Sequence, residues 1–376
     1  VAVGNNIVLT FSEAVVNGTG SILIRSVSAT GTIFETFDAA TSSRLTFSGN
    51  TLTIDPTNNL AGNTKYFVTF AAGTVKDAAG NSYAGISTYD FTTAAAPITG
   101  TTGNDTVTGT TGIDTLYGLA GNDVLSGLAG LDVMDGGAGS DIYLIAASTD
   151  HPGAEISDTG LSGTDEVRYT ATSGTLTLYA GDLGLESVVL GTGTGAVAVL
   201  TGTSGVSANA SAVTNALTLT GNAGINTLTG TNYADTLIGN GGNDILLGGL
   251  GNDRLLGGLG KDTMTGGAGL DTFRFDTAPN ATTNLDTITD FSLVDDTLEL
   301  ENAIFTALTA TGALNAAYFR SGAGVITAAD SNDYLIYNTT TGALYYDANG
   351  STAGAAIQIA TFTTKPLLTA SDFWIV

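Results

Sequence analysis

Cysteine is absent from this 376-residue chain. That excludes disulfides, thiolate catalysis and cysteine-based zinc sites, and it suits an exported bacterial protein that reaches stability without oxidation. Histidine occurs once, at His151 ahead of Pro152, and neither HExxH nor GxSxG is present. A lone loop histidine of this kind is expected at the surface, and no catalytic constellation is visible. Basic residues are scarce, 10 Lys and Arg against 35 Asp and Glu, and the formal net charge of −25 argues against a nucleic-acid partner. Charged residues as a whole reach only 12%, about half the usual share. No apolar run approaches the roughly 18–20 residues of a membrane span, so no transmembrane segment is expected. No N-terminal stretch reads as a signal peptide.

Glycine is abundant, 52 residues, and much of it falls on a period of nine. Six units run from Gly221 to Arg274: GNAGINTLT, GTNYADTLI, GNGGNDILL, GGLGNDRLL, GGLGKDTMT and GGAGLDTFR. Five more run from Gly100 to Leu144: GTTGNDTVT, GTTGIDTLY, GLAGNDVLS, GLAGLDVMD and GGAGSDIYL. The template is Gly at position 1, usually Gly at 4, Asp at 6 and a large apolar residue at 8. Asp105, Asp114, Asp123, Asp132, Asp141, Asp235, Asp244, Asp253, Asp262 and Asp271 fill the acidic slot, and Asn226 fills it in the remaining unit.

One unit can be built from its chemistry. Glycine in the first half permits a tight turn with positive φ. Positions 7 to 9 suit a very short strand, with position 8 pointing to one face and its neighbours to the other. Two units then make one coil of a flattened parallel solenoid, with Val107, Leu116, Leu125, Leu237, Leu246, Leu255 and Phe273 stacked inside. The turns fall in register and hold a ladder of carboxylates beside backbone carbonyls, an oxygen-only environment that suits Ca²⁺ better than Mg²⁺ or a transition metal. One inward side chain per nine residues is a thin core against the entropy of ordering the chain, and stacked carboxylates repel. The roll is therefore expected to fold only when cations occupy the turns.

These units resemble the calcium-binding nonapeptides of the RTX (repeats-in-toxin) family. The resemblance implies a parallel β-roll, type I export and folding triggered by extracellular calcium, with the ten repeat aspartates as ligands. It places each ion between the turns of units i and i+2, and hence about seven ions or more in this chain. Tyr233 in place of the position-4 Gly and Asn226 in place of Asp suggest that the first coil of the second block binds weakly or not at all. Since Asn226 carries no charge, its loss is expected to be mild. By the same resemblance, Asp286 and Asp290 in NLDTITDFSLVDDTLEL (284–300) bind calcium at the last coil.

The remaining segments complete an all-β reading. Residues 1–96 carry seven strand-like runs (7–11, 21–25, 33–37, 44–47, 51–54, 65–70 and 87–93) separated by turn clusters, which suggests a β-sandwich. FSEAV (11–15), the DAAGN turn (77–81) and YDFTT (89–93) resemble bacterial Ig-like domains of the surface-layer type, with an edge expected near Ile7–Phe11. The first roll block spans 97–144, and 145–220 reads as a calcium-free solenoid spacer. The second block spans 221–275. Residues 276–376 form a β-rich C-terminal cap and type I secretion region, including a hairpin at YLIYNTTTGALYYDANG (334–350) and a closing DFWIV that resembles type I secretion signals. Trp374 and the aromatic residues from 318 to 346 are expected in the C-terminal core.

The whole points to a non-enzymatic, secreted, calcium-dependent cell-surface or extracellular structural protein of a Gram-negative bacterium: an S-layer, adhesin or filament subunit that folds and assembles on binding Ca²⁺. Its expected partners are calcium, further copies of itself or a cell surface. The alternative is a non-catalytic C-terminal export and folding region of a larger type I-secreted enzyme or toxin.

Overall fold

Alternating apolar and polar residues set the longer strands of the first unit. The computed structural model describes residues 4–160, 162–350 and 356–376 and divides into two units, Val1–Pro97 and Ile98–Val376. In the first, β1 (Ile7–Thr10), β6 (Thr51–Ile54) and β5 (Leu45–Ser48) form one antiparallel sheet with β1 at its edge. β4 (Ile33–Asp38), β3 (Ser21–Ser26), β7 (Lys65–Phe70) and β9 (Ile86–Thr92) form the second. The inward residues of both sheets, among them Ile7, Leu9, Ile22, Ile24, Leu52, Ile54, Tyr66 and Val68, bury into one core, as a β-sandwich requires. Two short strands escaped the sequence pattern, β2 (Val15–Asn17) and β8 (Val75–Asp77), which pair with each other. Three residues are too few to show a period.

In the second unit, position 8 of every repeat points inward. Val107, Leu116, Leu125, Met134 and Tyr143 in the first block, and Leu228, Leu237, Leu246, Leu255, Met264 and Phe273 in the second, are all at most 4% exposed. Strands of alternate units stack in parallel, so Thr106–Thr108 pairs with Val124–Ser126 and Thr236–Ile238 with Arg254–Leu256. The result is a parallel β-roll. One sheet of twelve strands runs from Thr106–Thr108 to the end of the chain. The opposite face is a three-stranded sheet (Ile98–Thr99, Thr115–Ala120, Val133–Ala138) and then a ten-stranded one beginning at Gly174–Thr177.

Residues 145–220 continue the same solenoid. Glu166–Tyr169 pairs in parallel with Ile142–Ile145 before it and with Ser187–Leu190 after it, and Ser187–Leu190 with Thr218–Thr220. These coils are longer than those of the repeats, yet Val167, Leu176, Val188 and Leu219 bury into the same core.

At the far end, Asp286–Ile288 and Thr297–Leu300 make the last regular coil. An antiparallel meander, Leu335–Asn338, Ala343–Tyr346 and Ile357–Phe362, covers it. The DFWIV segment supplies the strand Phe373–Ile375, parallel to Thr297–Leu300. Tyr337, Tyr346, Phe362 and Phe373 are buried, whereas Trp374 is 48% exposed, contrary to its expected place in the core: strand alternation turns it outward between Phe373 and Ile375. Among the described residues no helix is long and apolar enough to cross a membrane.

Candidate metal centre

The eleven turns adopt two conformations. In seven of them positions 2 and 4 both have positive φ: Leu119 and Gly121, Leu128 and Gly130, Gly137 and Gly139, Asn240 and Gly242, Gly249 and Gly251, Gly258 and Gly260, Gly267 and Gly269. Here the Oδ2 atoms of Asp123, Asp132, Asp141, Asp244, Asp253, Asp262 and Asp271 are buried and receive no hydrogen bond. The turns of the remaining four units are closed on themselves. Thr101, Thr110 and Thr231 donate both backbone N–H and hydroxyl to Oδ2 of Asp105, Asp114 and Asp235, and the N–H of Asn222 donates to Oδ1 of Asn226. The two differ at position 2: the N–H groups of Thr101, Thr110, Thr231 and Asn222 donate to the position-6 side chain, whereas no donor reaches Oδ2 where position 2 is left-handed. For Leu119 and Leu128 that conformation costs about 1–2 kcal/mol each, strain of the kind that collects at functional sites.

The other carboxylate oxygen builds a continuous ladder. The N–H of Asp105 donates to Oδ1 of Asp123 (2.7 Å), Asp123 to Asp141 (2.7 Å), and Asp114 to Asp132 (2.8 Å). In the second block the series runs Asp235 to Asp253 to Asp271 along one edge, and Asn226 to Asp244 to Asp262 along the other. Each aspartate is thereby held with one oxygen tied to the preceding coil and the other aimed into its own turn. A Cβ on the position-1 glycines Gly118, Gly239 or Gly248 would collide both with Oδ2 of that unit's aspartate and with the carbonyl oxygen of the next coil's position-1 glycine. Carboxylate and carbonyl oxygens therefore converge beside each open turn. That donor set, all oxygen and carried on a turn, fits a hard divalent cation.

No protein cation serves these oxygens: among the described residues, no ion pair involves any of the seven aspartates. Burial consequently pushes the Asp244 and Asp253 carboxyls up to about 7 and those of Asp141 and Asp262 to about 6. Burial raises Asp123, Asp132 and Asp271 as well. In the exposed closed turn the effect reverses, and hydrogen bonds from Thr101 hold Asp105 below its usual range.

The two candidates beyond the repeats sit at the end of the second block. Asp286 accepts the N–H of Asp262 through Oδ1 (3.1 Å) and so extends that edge, while burial and the Asp262 charge hold its carboxyl well above the ordinary range. Asp290 receives the N–H groups of Gly266 and Gly267 instead, at 3.1 and 2.8 Å. Five acids absent from the sequence reading also belong to the ladder. Asp165 and Glu186 carry one edge onward from Asp141, Glu155 and Asp182 carry the other from Asp132, and Asp296 accepts from Asp271. Asp165-Glu-Val167, Glu186-Ser-Val188 and Asp296-Thr-Leu298 share the repeat's spacing of acid to inward residue without its glycines, and that tripeptide was the available signal.

Two expectations are corrected. Asn226 is fully buried and ties its coil together: its Nδ2 donates to the Val206 carbonyl (2.7 Å) and its Oδ1 accepts from Asn222, so its loss is not mild. His151 is buried rather than at the surface, with Nδ1 3.2 Å from Glu155 Oε2 and Nε2 2.9 Å from Asp182 Oδ2. With a carboxylate at each ring nitrogen, both nitrogens carry protons and the ring is a cation. Burial alone would lower its pKa, but the hydrogen bonds and charges of Asp182 and Glu155 raise it to about 9. On this edge of the intervening coils the protein supplies its own positive charge.

The family match over the nonapeptides agrees with this geometry. A bacterial Ig-like domain family matches residues 1–93. The RTX calcium-binding nonapeptide repeat matches at 99–134, 108–143, 220–255 and 244–273. No curated protein matches the chain. Among solved structures, a subunit of the Azotobacter vinelandii mannuronan C5-epimerase is similar at 25% identity, covering 40% of this chain and 77% of its own, with a TM-score of 0.28. The extracellular lipase LipA from Serratia marcescens is similar at 15% identity, covering 76% of this chain and 40% of its own, with a TM-score of 0.22.

Proposed function

An RTX protein with an N-terminal bacterial Ig-like domain, this chain is, we propose, a secreted, non-catalytic structural protein of the cell exterior that folds and assembles when calcium fills its turns. The observation that carries the reading is the set of seven buried aspartate oxygens without a hydrogen-bond donor, one in each open turn. They divide between the blocks as Asp123, Asp132 and Asp141, then Asp244, Asp253, Asp262 and Asp271, and we assign about one ion to each. Calcium would supply there the positive charge that no side chain of the repeats provides, held by these carboxylate and carbonyl oxygens. The closed turns at the start of each block are non-binding ends that begin the stack.

The structural role is supported by the surface that remains. Ile113, Leu131, Ile225, Leu250, Leu259 and Leu270 lie on the turns and are each more than half exposed. Loss of the ladder's charge on ion binding leaves these apolar side chains on a surface with few other charges, which favours self-association over a dispersed monomer. The Ig-like domain is of a kind suited to extracellular adhesion. Light scattering and negative-stain microscopy in millimolar calcium and in chelator test the proposal. Calcium-dependent sheets or fibres are expected, and a strictly monomeric protein at high concentration in calcium would refute the assembly role.

A further inference from the structure

Where the first block meets the intervening coils, the ladder passes a cluster unlike any repeat turn. One carboxylate oxygen from each of Asp141, Asp158 and Asp165 lies within 4.8 Å of the other two. All three residues are buried, at 0, 9 and 5% exposure, and Asp141 Oδ2 receives no hydrogen bond. Only Asp141 belongs to a nonapeptide. Asp165 precedes the strand Glu166–Tyr169 and accepts the Asp141 N–H through Oδ1 at 2.8 Å. Asp158 is brought in by a loop whose glycines let it lie on the repeat backbone: a Cβ on Gly160 or Gly163 would strike the carbonyl of Gly137 or Gly139.

The hydrogen bonds favour an anion at Asp158. The Gly136 N–H donates to the Tyr143 hydroxyl (2.8 Å), so that hydroxyl directs its own proton to Asp158 Oδ2 (2.6 Å), and Gly160 N–H donates to Oδ1 (2.6 Å). Donors on both oxygens make Asp158 an acceptor and favour its charged form. No Lys, Arg or His pairs with any of the three among the described residues. Three carboxylates thus face one small space without a counterion.

We propose that Asp158 and Asp165 join Asp141 in a three-carboxylate calcium site, unlike the other repeat sites with their single free carboxylate, that fills first and orders the first block from its C-terminal end. The proposal rests on the calcium reading of the repeats and adds to it an order of filling. Affinity for calcium rises with the number of anionic ligands and the rigidity of the site. The repeat turns offer one free carboxylate oxygen each, whereas this site gathers three carboxylates on hydrogen-bonded supports. Occupied first, it pins the intervening coil to the turn of Asp141, and the turns of Asp132 and Asp123 then stack on an ordered edge.

The test uses the full chain, titrated from chelator with calcium by calorimetry and with terbium by luminescence excited through tyrosine, since Tyr143 lies against the site. Wild type is expected to show one tight class ahead of the rest. Asp158→Asn and Asp165→Asn, each of which keeps one acceptor oxygen and removes the negative charge, should each weaken that class about tenfold or more. Asp253→Asn, in an open turn of the second block, should remove a weaker site and leave the tight class intact. Calcium binding with an unchanged tight class in both Asp158→Asn and Asp165→Asn overturns the proposal while leaving the calcium reading in place. A wild-type chain that binds no calcium at millimolar concentration overturns the calcium reading itself.

Discussion

Asp253 separates the two jobs of a ladder aspartate. Its Oδ1 accepts the buried Asp235 N–H at 2.8 Å, while its Oδ2 has no donor and is the oxygen assigned to calcium. Asp253→Asn keeps an acceptor for that N–H and removes the anionic ligand, and Asp253→Ala removes both. The difference between the two variants is one buried, orphaned backbone donor, about 1–3 kcal/mol. At about 2–4 °C per kcal/mol for a unit of this size, Asp253→Ala should melt roughly 2–12 °C below Asp253→Asn in saturating calcium. Both should melt below wild type and need more calcium to fold, because both lack the ligand. Circular dichroism melts at fixed calcium, with calcium titrations of the β-signal, give both quantities. Equal melting of the two variants would refute the two-oxygen division, and a calcium midpoint unchanged from wild type in either would refute the assignment of Oδ2.

The turn conformations predict that Asp235→Asn is milder than Asp253→Asn in calcium titrations, since Thr231 already occupies the Asp235 Oδ2; equal shifts would count against closed turns being non-binding. Asn226→Ala strips the Val206 carbonyl and the Asn222 N–H of their partner, and a thermal melt should show a loss of about 1–3 kcal/mol. In chelator, acid should partly replace calcium. The Asp244 and Asp253 carboxyls are raised to about 7 in the fold, so the stability of their protonated forms is complete below the ordinary carboxyl range and is lost as pH rises through about 7. Chelated protein should therefore show more β-signal at pH 5 than at pH 8, and equal signals would contradict the burial argument. For His151, raised to about 9, the contribution is complete below the free-imidazole value of about 6.5 and fades as pH rises through about 9. His151→Leu should remove that alkaline dependence and, by leaving Glu155 and Asp182 buried without a counterion, cost about 3–5 kcal/mol.

The nonapeptide period, the inward residue at position 8 and the acidic slot at position 6 were determined by the sequence alone, because each unit is decided within nine residues. Glycine admits the turn, three residues make the strand, and the pleat sends Leu246 and Leu255 inward. The sandwich strands were legible for the same reason wherever they ran long enough to alternate, and β2 and β8 were not. The open and closed turns were written locally only in part, since Thr101, Thr110 and Thr231 close their turns but Asn222 closes one while Asn240 sits in an open one, and their meaning needed the geometry that shows which oxygen each residue occupies. Only the tertiary structure could place the rest. Asp165 follows Asp141 in the ladder after 24 residues and Glu186 follows Asp165 after 21, so the ladder crosses the intervening coils on no fixed period. His151 meets Asp182 across 31 residues, and nothing near it in sequence distinguishes a surface imidazole from a buried cation. Local chemistry sets what a turn or strand can be; which carboxylates share a space, and whether a proton or a metal neutralises them, depends on how unequal coils stack.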